Sequence, residues 1–142
     1  MKQHQARLEI RTPGRGFHEI TDRVAKVVAE SGVGTGMCHV FCRHTSCSLC
    51  IQENADPTAR HDLEGWLERL APEGDPRYTH TLEGEDDMPS HLRALVTRTS
   101  EAIPVADGRL ALGRWQGLYL CEHRTRAHAR TLLVHVLGTT AP

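Results

Sequence analysis

Two continuous apolar runs in the last quarter of the chain constrain the fold more than any other sequence feature. They are Leu118–Cys121 and Leu132–Leu137, and a bend rich in charged residues separates them. Apolar runs without alternation, rich in leucine and valine, are typical of strands that are buried on both faces. The sequence therefore predicts two buried strands of one sheet.

Shorter segments predict the remaining strands. Residues 7–11 alternate apolar and charged side chains, as a strand with one buried face does. Residues 37–45 and 47–53 also alternate, and Thr45-Ser46 between them predicts a hairpin with a tight turn. Asp107-Gly108 is a strong signal for a second hairpin.

Three helices are predicted between these strands. Thr21 and Asp22 are suited to cap a helix that ends near Gly32, and Asp56-Pro57 matches an N-cap followed by proline at the first helical position. A third helix begins at residues 86–89, after a polar segment long enough to indicate a functional loop. The sum is one α+β domain over residues 1–142, with a mostly antiparallel, β-sandwich-like sheet and two or three covering helices.

Composition and charge argue against nucleic acid and membranes as partners. The net charge is -1 with histidine neutral, and the chain has two residues each of Phe, Trp and Tyr. No segment approaches the roughly 20 apolar residues that a membrane-spanning helix needs. The five cysteines are odd in number and the amino terminus lacks an apolar leader, so we expect reduced thiols and a cytoplasmic protein.

Cys47 and Cys50 have the spacing of a zinc or redox motif, but they lie in a strand-like run. Alternation along a strand sends them to opposite faces. A zinc ribbon also needs a second such pair. We therefore interpret both as small buried hydrophobic side chains.

Three histidines are candidates for a metal site. They are His44 at a strand end, His80 in the polar loop and His91 in the first turn of the third helix. Three imidazoles that leave one position open are a common ligand set for a catalytic divalent ion. They suit zinc or another transition metal better than magnesium. Asp87 is placed to orient a ligand imidazole or to bind the metal itself, although Asp86 and Asp87 also suit a plain helix cap.

Several short segments resemble the YjbQ-like family, whose members bear the name secondary thiamine-phosphate synthases. They are 44–46 (His-Thr-Ser), 53–57 (Glu-Asn-Ala-Asp-Pro), 86–91 (Asp-Asp-Met-Pro-Ser-His) and 112–117 (Leu-Gly-Arg-Trp-Gln-Gly), in that order. The resemblance extends from about Val40 to Gly138. It implies a compact sandwich-like α+β fold, a homotrimer and a metal site formed by His44, His80 and His91. The chain departs from the family pattern at Arg114 and at residues 98–100.

The activity that this resemblance implies joins a pyrimidine diphosphate to a thiazole phosphate and releases pyrophosphate. A divalent ion would polarise the leaving diphosphate and arginine donors would share its charge. The candidate catalytic residues are Asp87, Glu122 and Arg130. The candidate contacts to this small phosphorylated substrate are Thr45, Ser46, Ser100, Arg114, Trp115 and Gln116.

Two alternatives remain open at the level of the sequence. One is a metal-dependent hydrolase of a phosphate ester, in which Asp87 or Glu122 acts as base or orienting group. The other is a trimeric protein that binds a metal or small ligand without catalysis. The sequence contains neither a Gly-x-Ser-x-Gly nucleophile motif nor a phosphate-binding Gly-x-x-x-x-Gly-Lys loop.

Overall fold

The computed structural model describes residues 1–140, and within them eight strands and three helices form one α+β fold. This confirms the predicted fold class. In chain order the elements are β1 Lys2–Thr12, β2 Gly16–Glu19, α1 Thr21–Ser31, β3 Val33–Cys42, β4 Cys47–Glu53, α2 Pro57–Leu70, α3 Asp87–Val96, β5 Ser100–Ala106, β6 Arg109–Leu110, β7 Gln116–Glu122 and β8 His128–Thr140.

The strands form two antiparallel sheets. The larger sheet has the order β1-β8-β3-β5-β6, and the smaller has the order β2-β7-β4. Val40, Leu49 and Val134 belong to one large apolar core, to which helix α1 contributes Val24 and Val28. A second, smaller core on the other side of β7 contains Leu67 of α2 and Tyr119. The larger core thus draws its side chains from both sheets.

Two predicted strand pairings are wrong. Strands β3 and β4 do not form a hairpin, because β3 pairs with β5 and β8 whereas β4 pairs with β7. The apolar run in β7 is buried throughout, whereas the run in β8 is buried only at Leu132, Val134 and Val136, and the two strands lie in different sheets. Residues 43–46 therefore make a corner that carries the chain from one sheet to the other. Alternation identifies a strand and its buried face, whereas the choice of partner depends on how distant strands close the core.

Three helix ends were predicted from capping residues, and two of these predictions agree with the structure. Asp56 caps α2 by accepting a hydrogen bond from the Thr58 backbone N–H at 2.9 Å. Helix α1 ends at Gly32, whose φ of 71° suits glycine. The predicted cap of α1 is wrong, because the Thr21 hydroxyl instead accepts a hydrogen bond from the Leu118 N–H. None of the helices in residues 1–140 is long and apolar enough to cross a bilayer.

The second predicted hairpin and the burial of Cys47 are confirmed. Asp107 and Gly108 connect β5 to β6 with φ angles of 51° and 76°, as a two-residue hairpin turn requires. Cys47 is buried in the larger core, as predicted, whereas Cys50 is only partly buried and packs against the smaller core. All five cysteines are free thiols.

Candidate metal centre

His80, Asp87 and His91 converge at the amino-terminal end of α3. Oδ2 of Asp87 lies 2.8 Å from Nε2 of His80 and 3.1 Å from Nε2 of His91. One nitrogen or oxygen atom from each of the three side chains lies within 4.8 Å of the others. The Asp87 side chain is buried, whereas those of His80 and His91 are 48% and 30% exposed. The cluster is therefore closed on the protein side and open to solvent on the other.

Local structure explains this convergence. Asp87 is the first residue of α3 and His91 follows four positions later, so the two side chains share one face of the helix. The polar segment 71–86 folds back over this helix end and brings His80 to the same carboxylate. A loop that lacks regular structure is thus fixed at one point by a specific side-chain contact.

The backbone of the corner between β3 and β4 determines which ring nitrogen of His91 carries a proton. Nδ1 of His91 lies 2.8 Å from the carbonyl oxygen of Thr45. A carbonyl oxygen only accepts hydrogen bonds, so Nδ1 is the donor, and in a neutral ring the Nε2 lone pair would face Asp87. A lone pair and a carboxylate oxygen repel each other at 3.1 Å unless a proton or a metal ion lies beside both. The arrangement is therefore one that favours a bound cation.

Arg124 holds the acidic side of the cluster. Its Nη1 donates to Oδ1 of Asp87 at 2.7 Å, and its Nε donates to Oδ2 of Asp86 at 3.0 Å. Partial burial acts to raise the pKa of Asp86, but hydrogen bonds from the Thr125 N–H and from Arg124 prevail and lower it to about 2. Because Arg124 occupies only Oδ1 of Asp87, Oδ2 is left for the histidines. Arg124 was not among the predicted site residues, although it lies in the charged bend between the two apolar runs.

The structure does not place His44 with the other two histidines, and Asp87 takes the third position. Nε2 of His44 accepts a hydrogen bond from the Thr131 N–H at 2.8 Å, which ties the ring to strand β8. Burial, together with the charge of Arg130, lowers the pKa of His44 and favours a neutral ring. His44 and His91 nevertheless line the same surface depression, of about 510 Å³, together with Thr45 and Cys47.

Glu122 and Arg130 form a buried ion pair instead of lining an open site. Arg130 donates to both carboxylate oxygens of Glu122, at 2.8 and 2.5 Å. Glu122 also accepts hydrogen bonds from the Thr12 hydroxyl and the Arg124 N–H, so it is not available as a base. Arg130 further donates to the Ser46 hydroxyl at 3.0 Å. The pair joins β7 and β8 to the corner that positions His91, which is a structural role.

The other candidate substrate residues do not all lie near this centre. Gln116 pairs with Glu53 at the far end of β4, whereas Cys47 at the near end pairs with Glu122. Cys47 and Glu53 are six residues apart along β4, which corresponds to about 20 Å. Gln116 therefore lies far from the corner that contacts His91. Arg114 stacks on Trp115 in the loop before β7, with 4.7 Å from its guanidinium carbon to the ring centroid.

Thr45, Ser46 and Ser100 lie closer to the centre. Thr45 and Ser46 are in the corner, where the Thr45 carbonyl reaches His91. Ser100 begins β5, directly after Thr99, which lines the depression beside His91. Of the proposed contacts, these three therefore stay near the metal centre within a single chain.

The structure defines a two-sheet, three-helix α+β protein with a His-Asp-His cluster at one helix end. A family model described as UPF0047 protein YjbQ-like matches residues 6–139. The chain belongs to this YjbQ/UPF0047 family, as the sequence motifs predicted.

Similar proteins span almost the same length. The UPF0047 protein sll1880 of Synechocystis is 53% identical over 137 residues, covering 96% of this chain and 93% of its own. The UPF0047 protein YjbQ of Escherichia coli O157:H7 is 40% identical, with coverages of 95% and 98%. A crystal structure of a YjbQ/UPF0047 family protein from Clostridium acetobutylicum has a TM-score of 0.85 at 36% identity, with coverages of 93% and 99%. The conserved hypothetical protein TT1486 of Thermus thermophilus has a TM-score of 0.83 at 39% identity, with the same coverages.

Proposed function

We propose that this protein is a metal-dependent enzyme that acts on a small phosphorylated molecule. Its divalent ion would be held by Nε2 of His80, Oδ2 of Asp87 and Nε2 of His91. The observation that carries the proposal is that these three atoms face one another, while Thr45 binds the other ring nitrogen of His91 and Arg124 binds the other carboxylate oxygen of Asp87. Two imidazoles and one carboxylate suit zinc or another transition metal, and magnesium less well.

The chemistry of this ligand set fits catalysis. A divalent ion bound by three protein ligands acts as a Lewis acid on a phosphoryl oxygen and lowers the pKa of a water molecule at its open position. The exposed sides of His80 and His91 leave room for that position. Arg124 orients Asp87, and the Thr45 carbonyl orients the ring of His91.

The depression beside His91 is the proposed substrate site. Its walls include Ala94 and Leu95 of α3, which offer apolar surface to the organic part of a substrate. His44 lies on the same wall, and as a neutral imidazole it adds no charge there. A phosphate group placed at the His91 end of this depression would reach the metal centre.

Hydrolysis of a phosphate ester is the reaction that the single chain supports best. It needs the metal centre, a water molecule and a substrate pocket. The proposed metal centre and the depression both lie beside α3, so a single chain can accommodate all three. Glu122 is excluded as the base by its buried contacts, and Asp87 acts as a ligand in this proposal. The water would then be activated by the ion itself.

Thiamine-phosphate synthesis is the second candidate. The exposed Trp115, with Arg114 stacked on it, suits contact with a heteroaromatic ring and a phosphate. Because this loop lies about 20 Å along β4 from the corner, the synthase would need a neighbouring subunit to supply it. A homotrimer would meet that need. The outer face of the larger sheet, with exposed Phe41 and Leu137, supports subunit association.

Turnover by zinc-loaded protein tests these candidates. We expect release of inorganic phosphate from a panel of small phosphate monoesters, abolished in His91→Ala and retained in His61→Ala, whose histidine is exposed on α2. Pyrophosphate release that requires both the pyrimidine diphosphate and the thiazole phosphate would instead support the synthase. A protein that holds zinc stoichiometrically and turns over neither would support the non-catalytic binding protein. The cytoplasmic location stays a prediction.

A further inference from the structure

A pair of thiols lies at the two ends of the corner that contacts the proposed metal centre. Sγ of Cys42 is 3.4 Å from Sγ of Cys47, and each residue is only 1% exposed. Cys42 is the last residue of β3 and Cys47 is the first residue of β4. The two sulfur atoms therefore enclose the four residues of the corner between the sheets.

We propose that Cys42 and Cys47 are a redox pair that a hydroperoxide oxidises to a disulfide, and that this disulfide weakens metal binding. The first part depends only on the two cysteines. The second part rests on the proposed metal site. A cytoplasmic disulfide of this kind would be transient and reversed by cellular thiols.

The geometry favours bond formation at this place. The sulfur atoms are already in contact and must approach to about 2.05 Å. Residues 43–46 form no strand or helix between the two sheets, so this short segment can absorb the shift.

The enclosed corner connects the thiols to the metal centre. The Thr45 carbonyl accepts the hydrogen bond from His91 Nδ1, and the Ser46 hydroxyl accepts one from Arg130. A disulfide draws the two ends of the corner together and alters the position of the Thr45 carbonyl. Loss of such a supporting contact lowers metal affinity by about 10–100-fold in other metal sites.

The surroundings of the Cys42–Cys47 pair favour a small oxidant. Both thiols are buried, which slows exchange with bulky disulfides such as oxidised glutathione, but Cys47 lines the depression that also contains His44 and His91. Hydrogen peroxide is small and uncharged and can enter there. A hydrogen bond with Cys47 and the nearby charge of Arg130 lower the pKa of Cys42, although burial acts in the opposite direction. Cys42 is therefore the better nucleophile of the two.

The reaction balances with hydrogen peroxide as the two-electron oxidant. The Cys42 thiolate attacks one peroxide oxygen, the O–O bond breaks, and the leaving hydroxide takes a proton to become water. The resulting sulfenic acid is attacked by Sγ of Cys47, which forms the S–S bond and releases a second water. Two thiols and one peroxide thus give one disulfide and two waters.

A second cysteine pair provides an internal control. Sγ of Cys50 and Sγ of Cys121 are also 3.4 Å apart, but both residues lie within the paired region of β4 and β7. Cys50 is opposite Tyr119 and Cys121 is opposite Ser48, so the ladder of hydrogen bonds holds both backbones. This pair encloses no segment that contacts the metal centre.

The test combines disulfide mapping with zinc titration. Full-length protein is treated with hydrogen peroxide, the loss of two hydrogen masses is assigned by peptide mapping, and zinc affinity is measured before and after dithiothreitol. We expect a Cys42–Cys47 disulfide and an affinity at least about tenfold weaker, both reversed by dithiothreitol, in wild type and in Cys50→Ala. Cys42→Ala, with Cys47→Ser as a second variant in case the first fails to fold, should keep its affinity after peroxide.

Three results would count against the inference in different ways. Peptide maps without the Cys42–Cys47 disulfide would overturn it completely. The disulfide with unchanged zinc affinity would overturn its second part. Absence of zinc binding by the reduced protein would overturn the metal site, and with it the second part, while the peptide maps still decide the first.

Discussion

Nδ1 of His91 and the backbone carbonyl oxygen of Thr45 are joined by a 2.8 Å hydrogen bond between α3 and the corner after β3. This contact fixes which ring nitrogen carries the proton. It also makes the geometry of the candidate metal centre depend on a backbone segment that donors of Arg130 hold in place. The cluster of His80, Asp87 and His91 is therefore supported by the buried framework of the protein.

Arg124→Gln should weaken zinc binding by about 10–100-fold, because it removes the hydrogen bonds that orient Asp87 and Asp86. Zinc titration measures the effect. Arg126→Gln is the matched control, since Arg126 lies two residues away on the exposed surface. Equal affinities of the two variants would contradict the positioning role of Arg124.

Glu122→Gln should reduce the free energy of unfolding by about 3–5 kcal/mol, because it leaves the charge of Arg130 buried without an opposite charge beside it. Denaturant unfolding measures this change. Glu9→Gln breaks an exposed ion pair with Arg11 and should cost less than about 1 kcal/mol. Losses of similar size in both variants would show that the buried pair has no special structural role.

His123 should make the protein sensitive to acid. Burial, together with the charge of Arg93, lowers the pKa of His123 from 6.5 to about 3. The unfolded chain therefore binds a proton on the His123 ring more tightly than the folded chain does. The stability from the neutral ring is present in full above pH 6.5 and is lost as the pH falls toward 3, at up to about 1.4 kcal/mol per pH unit. Unfolding curves across this range should have a shallower pH slope for His123→Gln, and an unchanged slope would contradict the assignment.

Phe41→Asp should dissociate the proposed homotrimer. Phe41 is 49% exposed on the outer face of the larger sheet, where a buried carboxylate would oppose subunit contact. Light scattering after size exclusion should give three times the 15.8 kDa chain mass for wild type and a smaller mass for the variant. Leu82→Asp, in the exposed polar loop, should leave the mass unchanged. A monomeric wild type would contradict the trimer itself.

Local signals predicted the parts of the fold that local interactions determine. The start of α2 depends on Asp56 and Pro57, and the β5–β6 turn depends on Asp107 and Gly108, so adjacent residues were sufficient. The pairing of β4 with β7 depends on residues about 70 positions apart. The alternating pattern identifies such a strand but does not name its partner.

The same distinction between local and distant contacts applies to the candidate metal centre. Asp87 and His91 share a helix turn, so their proximity could be predicted from spacing alone. The direction of the His44 ring depends on Thr131, a residue 87 positions away in β8. The role of Arg124 likewise depends on contacts with Asp86 and Asp87, 38 and 37 positions earlier. No local pattern marks either interaction.

Zinc stoichiometry and affinity of four matched variants test the central claim most directly. The account predicts that His80→Ala, Asp87→Asn and His91→Ala each lose high-affinity zinc binding, whereas His44→Ala binds zinc with an affinity close to that of wild type. Loss of zinc binding in His44→Ala, with retention in Asp87→Asn, would contradict it.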